Sequence, residues 1–123
     1  MSLKQRSIME IQEEIESKAK QMKKGIIEYI LLSQLSKKEM YAKELVAAFT
    51  DTPFQLPEGT IYPILSRLKK TEIIIYTWVE SESGHPRKYY QLSPKGELIL
   101  PKLAKVWEDL QKTVAITTNS EEK

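Results

Sequence analysis

Residues 73–92 read IIIYTWVESESGHPRKYYQL. The first seven are mostly β-branched or aromatic, a composition that favours a strand. A polar stretch follows, and it contains Gly84 and Pro86, which are typical of a turn. Strand composition resumes at Lys88 and ends at Leu92. This part of the chain therefore predicts a β-hairpin with a polar tip.

A long helix is predicted directly after the hairpin. Ser93 and Pro94 suit the N-cap and the first position of a helix, respectively. Four apolar residues then recur at steps of four, three and four, the spacing of a coiled-coil seam: Leu103, Trp107, Leu110 and Val114. Pro101 lies within this segment, and we expect it to kink the helix or to split it into two pieces.

Four helical segments are predicted before the hairpin. Residues 3–24 are rich in good helix formers, and one face of this helix carries Ile8, Ile11 and Ile15. Residues 26–35 form a separate segment that is apolar over most of its circumference, which favours a buried helix too short to cross a bilayer. Two further helices are predicted over residues 41–49 and 60–70. The last of these has an apolar stripe, a basic opposite face and a proline in its first turn.

The composition excludes several classes of protein. The chain has 123 residues, of which 41% are hydrophobic and 29% charged, and this suits a single soluble domain. It has no cysteine and one histidine, so disulfides, thiolate nucleophiles and zinc clusters are excluded, and no metal or cofactor is expected. Neither paired catalytic carboxylates nor a phosphate-binding loop is visible, which argues against an enzyme. Residues 1–24 lack the apolar run of a signal peptide, so we expect a cytoplasmic protein without membrane contact.

The predicted elements follow the order of a winged helix-turn-helix, in which three helices precede a two-stranded wing. The expected fold is therefore mainly α-helical with a small β-hairpin. In such a unit the third helix enters the major groove and the hairpin contacts the flanking backbone. The chain then divides into an N-terminal amphipathic helix (1–24), a DNA-binding winged helix-turn-helix domain (25–92), a C-terminal helix with a coiled-coil seam (93–116) and a polar tail (117–123).

Positive charges lie on the two elements that are expected to face DNA. The whole chain has a net charge of only +2, and residues 55–95 contain six basic and four acidic residues. Lysine and arginine neutralise phosphates, whereas side chains in the groove read base edges. We therefore predict DNA contacts for nine residues of the third helix and the wing: Thr60, Tyr62, Pro63, Ser66, Arg67, Lys70, His85, Arg87 and Lys88.

Several aromatic and basic residues also allow a plainer interpretation. The basic side chains of the third helix form an ordinary solvated face if the wing is ignored. Tyr62 is either a core residue or a phosphate contact, and His85 is either a turn residue or a wing-tip contact. Tyr89 and Tyr90 alternate on a strand, so one of them is expected in the core. Trp78, on the first strand, is expected to pack against neighbouring side chains.

Three stretches resemble the PadR-like bacterial transcriptional regulators. They are GTIYPILSRL at residues 59–68, SGHPRKYYQLSPKG at residues 83–96, and a long terminal helix that contains Trp107. In this order the three motifs are specific, and the similarity covers most of the chain. The departures from the family pattern include two that bear on its helices. Glu72 stands where the family usually has glycine after the recognition helix, and Pro101 lies inside the terminal helix.

The resemblance implies a homodimer whose two winged domains meet successive major grooves of a double-stranded DNA operator. Many members repress genes for detoxification, phenolic acid metabolism or multidrug export. In some small members, flat aromatic ligands stack between protomers against a tryptophan that corresponds to Trp107; for Trp107 itself, simple packing at the interface is the first interpretation. The residues assigned to the dimer interface or ligand pocket are Ile8, Ile11, Ile15, Leu103, Trp107, Leu110 and Val114.

We therefore expect a dimeric, sequence-specific DNA-binding repressor of a stress, detoxification or drug-efflux gene, released by a small aromatic effector. The alternative is a winged-helix protein-interaction module that binds neither DNA nor a ligand. The nearly neutral total charge favours that alternative. DNA binding with a sequence preference at physiological salt distinguishes the two.

Overall fold

The computed structural model describes residues 1–119 and confirms a mainly helical fold with one two-stranded antiparallel hairpin. The elements, in chain order, are α1 (Leu3–Leu35), α2 (Ala42–Ala47), α3 (Glu58–Lys70), β1 (Ile74–Val79), β2 (Arg87–Leu92) and α4 (Pro94–Thr118). The predicted polar tail began at residue 117, but α4 continues to Thr118, and residues 120–123 lie outside the described residues.

The prediction of two separate helices at the start of the chain is wrong, because residues 3–24 and 26–35 belong to one continuous helix of 33 residues. Gly25 lies inside it without ending it, since a glycine in a helix interior costs only about 1 kcal/mol relative to alanine. Ser2 caps the N-terminus by accepting a hydrogen bond of 3.1 Å from the Gln5 amide. Only the last turns of α1 are buried, so most of this long helix projects beyond the core.

The third helix, α3, begins at Glu58, two residues earlier than predicted. Pro63 is therefore not in the first turn but inside the helix, where it lacks the N–H that would bond to the carbonyl of Gly59. Four apolar residues at helical spacing are buried on its inner face: Ile61, Ile64, Leu65 and Leu68. The outer face is left for polar, aromatic and basic side chains.

The hydrophobic core lies where the end of α1, α2, α3 and the base of the hairpin meet. Its most completely buried large side chains come from all four of these elements: Leu31, Leu32, Leu45, Ile61, Leu65 and Ile74. The hairpin is fixed to this core by paired backbone hydrogen bonds between Met40 and Tyr90, at 3.0 and 2.8 Å. The wing therefore has a defined position relative to α2 and α3.

The hairpin register explains which aromatic residues are buried. Ile74 pairs with Leu92 at the buried base, and Trp78 pairs with Lys88 nearer the tip. Tyr90 is 7% exposed, which confirms that one of the two adjacent tyrosines is in the core. Trp78 does pack against a neighbouring side chain, since its ring centre lies 6.0 Å from that of Tyr76, but the residue is 61% exposed and lies outside the core. The strands extend past the core, so the face that is buried at their base is open near their tip.

The terminal helix starts as predicted and runs through its proline. Ser93 is the N-cap, and its hydroxyl accepts a hydrogen bond of 3.0 Å from the Gly96 amide. Pro101 does not split the helix, whose full length is 25 residues. The proline removes one backbone hydrogen bond, to the carbonyl of Glu97. Leu103 packs against the core, whereas Leu110 and Val114, farther along, are exposed.

Candidate nucleic-acid interface

All nine residues that were predicted to contact DNA lie at the surface. Seven are exposed, and the other two, Arg87 and Lys88, are half-buried. The structure separates the residues of α3 into two flanks. One flank faces the hairpin and carries Tyr62, Ser66 and Lys70. The other faces α1 and carries Thr60, Pro63 and Arg67.

The flank towards the hairpin borders a groove that we call the wing groove. It is lined on one side by α3 and on the other by the hairpin, through Tyr62, Ser66, Lys69, Lys70, Tyr76 and Lys88. Lysines thus line both walls of this groove. Such a surface attracts the phosphate groups of a nucleic acid rather than an apolar ligand.

Tyr76 links the recognition helix to the wing. The ammonium of Lys69, from α3, lies 5.3 Å from the centre of the Tyr76 ring, and the ammonium of Lys88, from β2, lies 4.6 Å from the same centre. Lys88 is also 5.4 Å from the ring centre of Trp78. Cation–π contacts hold these ammonium groups in place without neutralising them, so their charges remain available to phosphate oxygens.

A second aromatic contact orients the other wing cation. The guanidinium carbon of Arg87 lies 4.4 Å from the centre of the Tyr41 ring, and the Tyr41 and Tyr89 rings are 5.3 Å apart. A planar guanidinium stacks well on an aromatic face while its N–H groups still point outward. Tyr41 precedes α2, so this contact joins α2 to the wing next to the recognition helix.

Tyr62 is a surface residue, which excludes its interpretation as a core side chain. It is 50% exposed, and its hydroxyl donates a hydrogen bond of 3.3 Å to the Glu58 carboxylate one turn earlier on α3. Partial burial, followed by the nearby negative charge of Glu58 and this hydrogen bond, raises the pKa of Tyr62 above its usual value. The phenol is protonated at neutral pH, and its single O–H is donated to Glu58, so a contact with phosphate requires the hydroxyl to exchange that partner.

Arg67, on the flank towards α1, forms a salt bridge. Its guanidinium nitrogen lies 3.7 Å from the Glu28 carboxylate, and both side chains remain partly exposed. A pair of this kind contributes little to stability, about 0–1 kcal/mol. It does set the direction of Arg67, which lies along α1 in the same groove as Thr60 and Pro63.

The wing tip is a polar turn. Gly84 has a φ of 84°, which favours glycine, and Ser81 donates a hydrogen bond of 2.6 Å to the carbonyl of His85. The imidazole of His85 is exposed and lies outside the wing groove. Its backbone has a clear role in the turn, which agrees with the plainer interpretation, and its position at the tip is also compatible with a contact to the flanking backbone.

Sequence reasoning missed several residues of this surface. Tyr76 lines the wing groove, and Tyr41, Lys43 and Trp78 line a neighbouring hollow between α2 and the wing. The hairpin register would have identified two of them, because strand alternation places residues 76 and 78 on the same face as residues 88 and 90. The stacking partner of Arg87 had no comparable signal in the sequence.

Two apolar surfaces lie away from this site. On α1, the side chains of Ile8, Ile11 and Ile15 are more than half exposed. On α4, Leu110 and Val114 are also about half exposed, and Trp107, between the core and these residues, is half-buried. Exposed apolar stripes of this length usually mark a protein interface.

Residues 1–119 offer neither a metal cluster nor a membrane-spanning helix. No group of three or more histidine, cysteine, aspartate or glutamate side chains in that range is arranged to hold a metal ion. No helix among the same residues combines the length and the apolar character that crossing a membrane requires.

Comparisons with known proteins agree with this geometry. A family model described as the transcriptional regulator PadR-like family matches residues 31–102. A PadR-like transcription factor from Bacteroides fragilis is 40% identical, covers 82% of this chain and 98% of its own, and superposes with a TM-score of 0.70. A PadR-like transcriptional regulator from Bacillus cereus is 34% identical, covers 80% of this chain and 96% of its own, and gives a TM-score of 0.71.

A third solved structure is more distant. Bacillus subtilis PadR, crystallised in complex with operator DNA, is 21% identical, covers 64% of this chain and 45% of its own, and gives a TM-score of 0.60. At this identity the similarity shows a shared fold and nothing finer.

Proposed function

Because this chain belongs to the PadR-like family of transcriptional regulators, we propose that it is a homodimeric repressor that inserts its two α3 helices into a double-stranded DNA operator. Residues 25–92 form the DNA-binding domain in this proposal, and residues 93–116 form the dimerisation helix. Its place of action is the cytoplasm, where bacterial DNA is found.

The observation that carries the proposal is the wing groove. Lys69 and Lys88 approach one tyrosine ring from two different elements, so recognition helix and wing present their cations as one surface. Phosphate contacts of this kind set affinity and register, and they are independent of sequence. Base reading falls to the exposed residues near the start of α3, such as Thr60, because the N-terminal part of a recognition helix contacts base edges.

The exposed apolar stripes support the dimer. A single copy leaves Ile8, Ile11 and Ile15 in water on a helix that projects from the core, and a free helix of that kind gains little stability by itself. Packing of α1 and α4 against the same helices of a second copy removes both stripes from water. It also fixes the distance between the two α3 helices, which must match the spacing of the operator half-sites.

The regulated gene and the signal complete the proposal. We assign the repressor to a stress, detoxification or drug-efflux gene and assign its release to a small aromatic effector between the protomers. The support for an effector is Trp107, which is half-buried in one chain and lies between the core and the exposed part of α4. An effector that binds better to one separation of the α3 helices shifts the population towards that state.

Selection of DNA from a random-sequence pool tests the main proposal. The purified chain is used to select duplexes, and fluorescence anisotropy then compares the selected duplex with a random duplex at several salt concentrations. We expect tighter binding of the selected duplex, with affinity that falls steeply as salt rises. Equal binding of both duplexes, or none, contradicts the proposal and favours a protein-interaction module.

Tryptophan fluorescence tests the effector. The variant Trp78→Phe leaves Trp107 as the only tryptophan, since the chain has two. Titration with a panel of flat aromatic acids and cationic dyes should quench its emission and release the selected duplex at the same concentrations. Quenching without release, or release without quenching, contradicts an effector site at Trp107.

A further inference from the structure

The charges on α1 are arranged in two blocks. Four glutamates lie within residues 10–16, and four lysines lie within residues 18–24. Because α1 is continuous, the lysine block lies on the same rigid rod as the buried end of the helix. The rod brings three of these lysines, Lys20, Lys23 and Lys24, alongside α3, on the flank opposite the wing.

A second groove, which we call the α1 groove, separates the lysine block from α3. Its walls are formed by Lys20, Lys23 and Lys24 from α1 and by Thr60, Pro63 and Arg67 from α3, with Ile27 and Ile64 among the apolar residues at its floor. Positive side chains thus come from both walls, as they do in the wing groove. The recognition helix therefore has a cationic groove on each side.

Among the described residues, two of the three lysines form neither a salt bridge nor a cation–π contact. Lys23 lies 5.0 Å from the centre of the Phe54 ring. Lys20 and Lys24 are exposed, lie one helical turn apart on the same face, and form no salt bridge within the described residues. Neither lysine is needed for packing, because both are exposed, and both border the groove beside α3.

We propose that Lys20 and Lys24 form a second phosphate-binding site, which holds the DNA backbone on the side of the major groove opposite the wing. The proposal rests on the proposed DNA binding and adds a new element to it. A helix in the major groove, which is about 12 Å wide, has a phosphate backbone on each side. The wing cations contact one backbone, and the α1 lysines are placed to contact the other.

The position of the groove favours DNA over another occupant. The glutamate block of a second copy has the right charge for these lysines. However, one wall of the groove is the recognition helix itself, through Thr60 and Arg67. When α3 enters DNA, the space beside that wall is where the backbone must pass. A partner helix in the same place would block the entry of α3.

A double substitution with a matched control tests the proposal. Lys20→Gln with Lys24→Gln removes two positive charges per chain and keeps good helix formers in α1. Lys37→Gln with Lys38→Gln removes the same charge from exposed residues in the turn after α1, and Lys38 borders a hollow formed by β2 and α4 instead of α3. Binding of the selected duplex and of a random duplex is measured for both variants across a range of salt concentrations.

We expect the α1 variant to bind at least tenfold more weakly at about 0.15 M salt. The loss should be the same for both duplexes, because phosphate contacts carry no sequence information. Each phosphate that is no longer neutralised should lower the salt slope by about 0.9. A dimer of this variant lacks four phosphate-binding charges, which reduces the salt slope by about 3 to 4. The control variant should match the wild type, and Lys20→Arg with Lys24→Arg should retain both the affinity and the slope.

Three results would overturn the proposal. The first is an α1 variant with the affinity and salt slope of the control. The second is loss of the dimer in sedimentation, which would place the lysines against a partner chain. The third is a wild-type chain that selects no duplex, and this result alone would also reject the proposed function.

Discussion

The hydroxyl oxygen of Ser93 lies 2.6 Å from the carbonyl oxygen of Glu72, and this hydrogen bond joins the start of α4 to the exit of α3. Lys95 adds a second link, since its ammonium donates a hydrogen bond of 2.8 Å to the carbonyl of Thr71 at the C-terminus of α3. Gly96 of α4 also packs closely against the segment between α3 and β1, because a Cβ at Gly96 would overlap the carbonyl oxygen of Ile73. The direction of the recognition helix is therefore tied to that of α4.

The first prediction concerns this link. Ser93→Ala removes both the N-cap of α4 and a part-buried hydrogen bond to the turn after α3, so we expect it to lower the free energy of unfolding by about 2 kcal/mol. Ser2→Ala is the matched control, because Ser2 caps α1 at an exposed position and makes no contact with another element. Urea denaturation should show the larger loss for Ser93→Ala, and equal losses would reduce the role of Ser93 to capping alone.

The second prediction concerns the backbone at the exit of α3. Glu72 has a φ of 62°, and the amides of Glu72 and Ile73 bond to the carbonyls of Lys69 and Leu68 at 2.9 and 3.0 Å. This is the Schellman arrangement that usually requires glycine, so the departure from the family pattern leaves the geometry intact. Glu72→Gly should therefore raise the free energy of unfolding by about 1 kcal/mol.

Glu72→Ala is the control for this change. It removes the same exposed carboxylate but keeps the Cβ, so thermal unfolding should show no comparable gain. A similar rise in Tm for both variants would assign the effect to charge instead of backbone strain.

The parts of the fold that the sequence predicted well are those with local chemical signals. Ser93 and Pro94 begin α4 as expected, and the glycine and proline of the tip bound the hairpin. Glycine is a weaker signal inside a helix, and Gly25 did not end α1 because tertiary packing of the following residues offsets its small cost. An isolated Gly marks a helix end only when the backbone there needs a positive φ.

The candidate site was predicted less completely because its contacts are between elements distant in sequence. The basic residues of α3 and the wing were identified by type and position, and their assignment to DNA remains a prediction. The exposure of Trp78 depends on where the core ends, which strand composition does not encode. The position of Lys20 and Lys24 beside α3, on which their proposed role rests, follows from the continuity of α1 and was not predicted from the sequence.

The third prediction concerns pH. Burial, followed by the negative charges that Tyr62 and Tyr76 acquire, raises the pKa of Tyr90 above its ordinary value of 10.0. The folded chain thus holds this proton more tightly than the unfolded chain does. The stabilisation is present below pH 10, and it is lost as the pH rises above that value towards the folded pKa. Chemical denaturation of Tyr90→Phe should show a weaker decline of stability between about pH 9 and 11 than the wild type; an unchanged decline would contradict this origin.

The fourth prediction concerns the wing. Arg87→Ala with Lys88→Ala should weaken binding to the selected and random duplexes alike, because these side chains are assigned to phosphates. The salt slope should fall by about 0.9 for each phosphate that the wing no longer neutralises. Arg87→Lys with Lys88→Arg preserves both charges and should retain most of the slope in the same anisotropy titrations. If the alanine variant kept the wild-type affinity for the selected duplex, the wing would not contact DNA.

The fifth prediction concerns the dimer and uses two apolar residues that lie on different faces of α4. Leu110 belongs to the stripe with Val114, whereas Ile116 is exposed about a third of a turn away around the helix. Leu110→Lys places a charge in the proposed interface, so sedimentation should show monomers at concentrations where the wild type is dimeric, and affinity for a two-half-site duplex should fall at least tenfold. Ile116→Lys makes the same chemical change outside the stripe and should leave the dimer intact. Equal dissociation of both variants would place the dimer contact elsewhere than the α4 stripe. A wild type that sediments as a monomer would contradict the proposed dimer itself, because two α3 helices would then lack the fixed separation on which operator recognition depends.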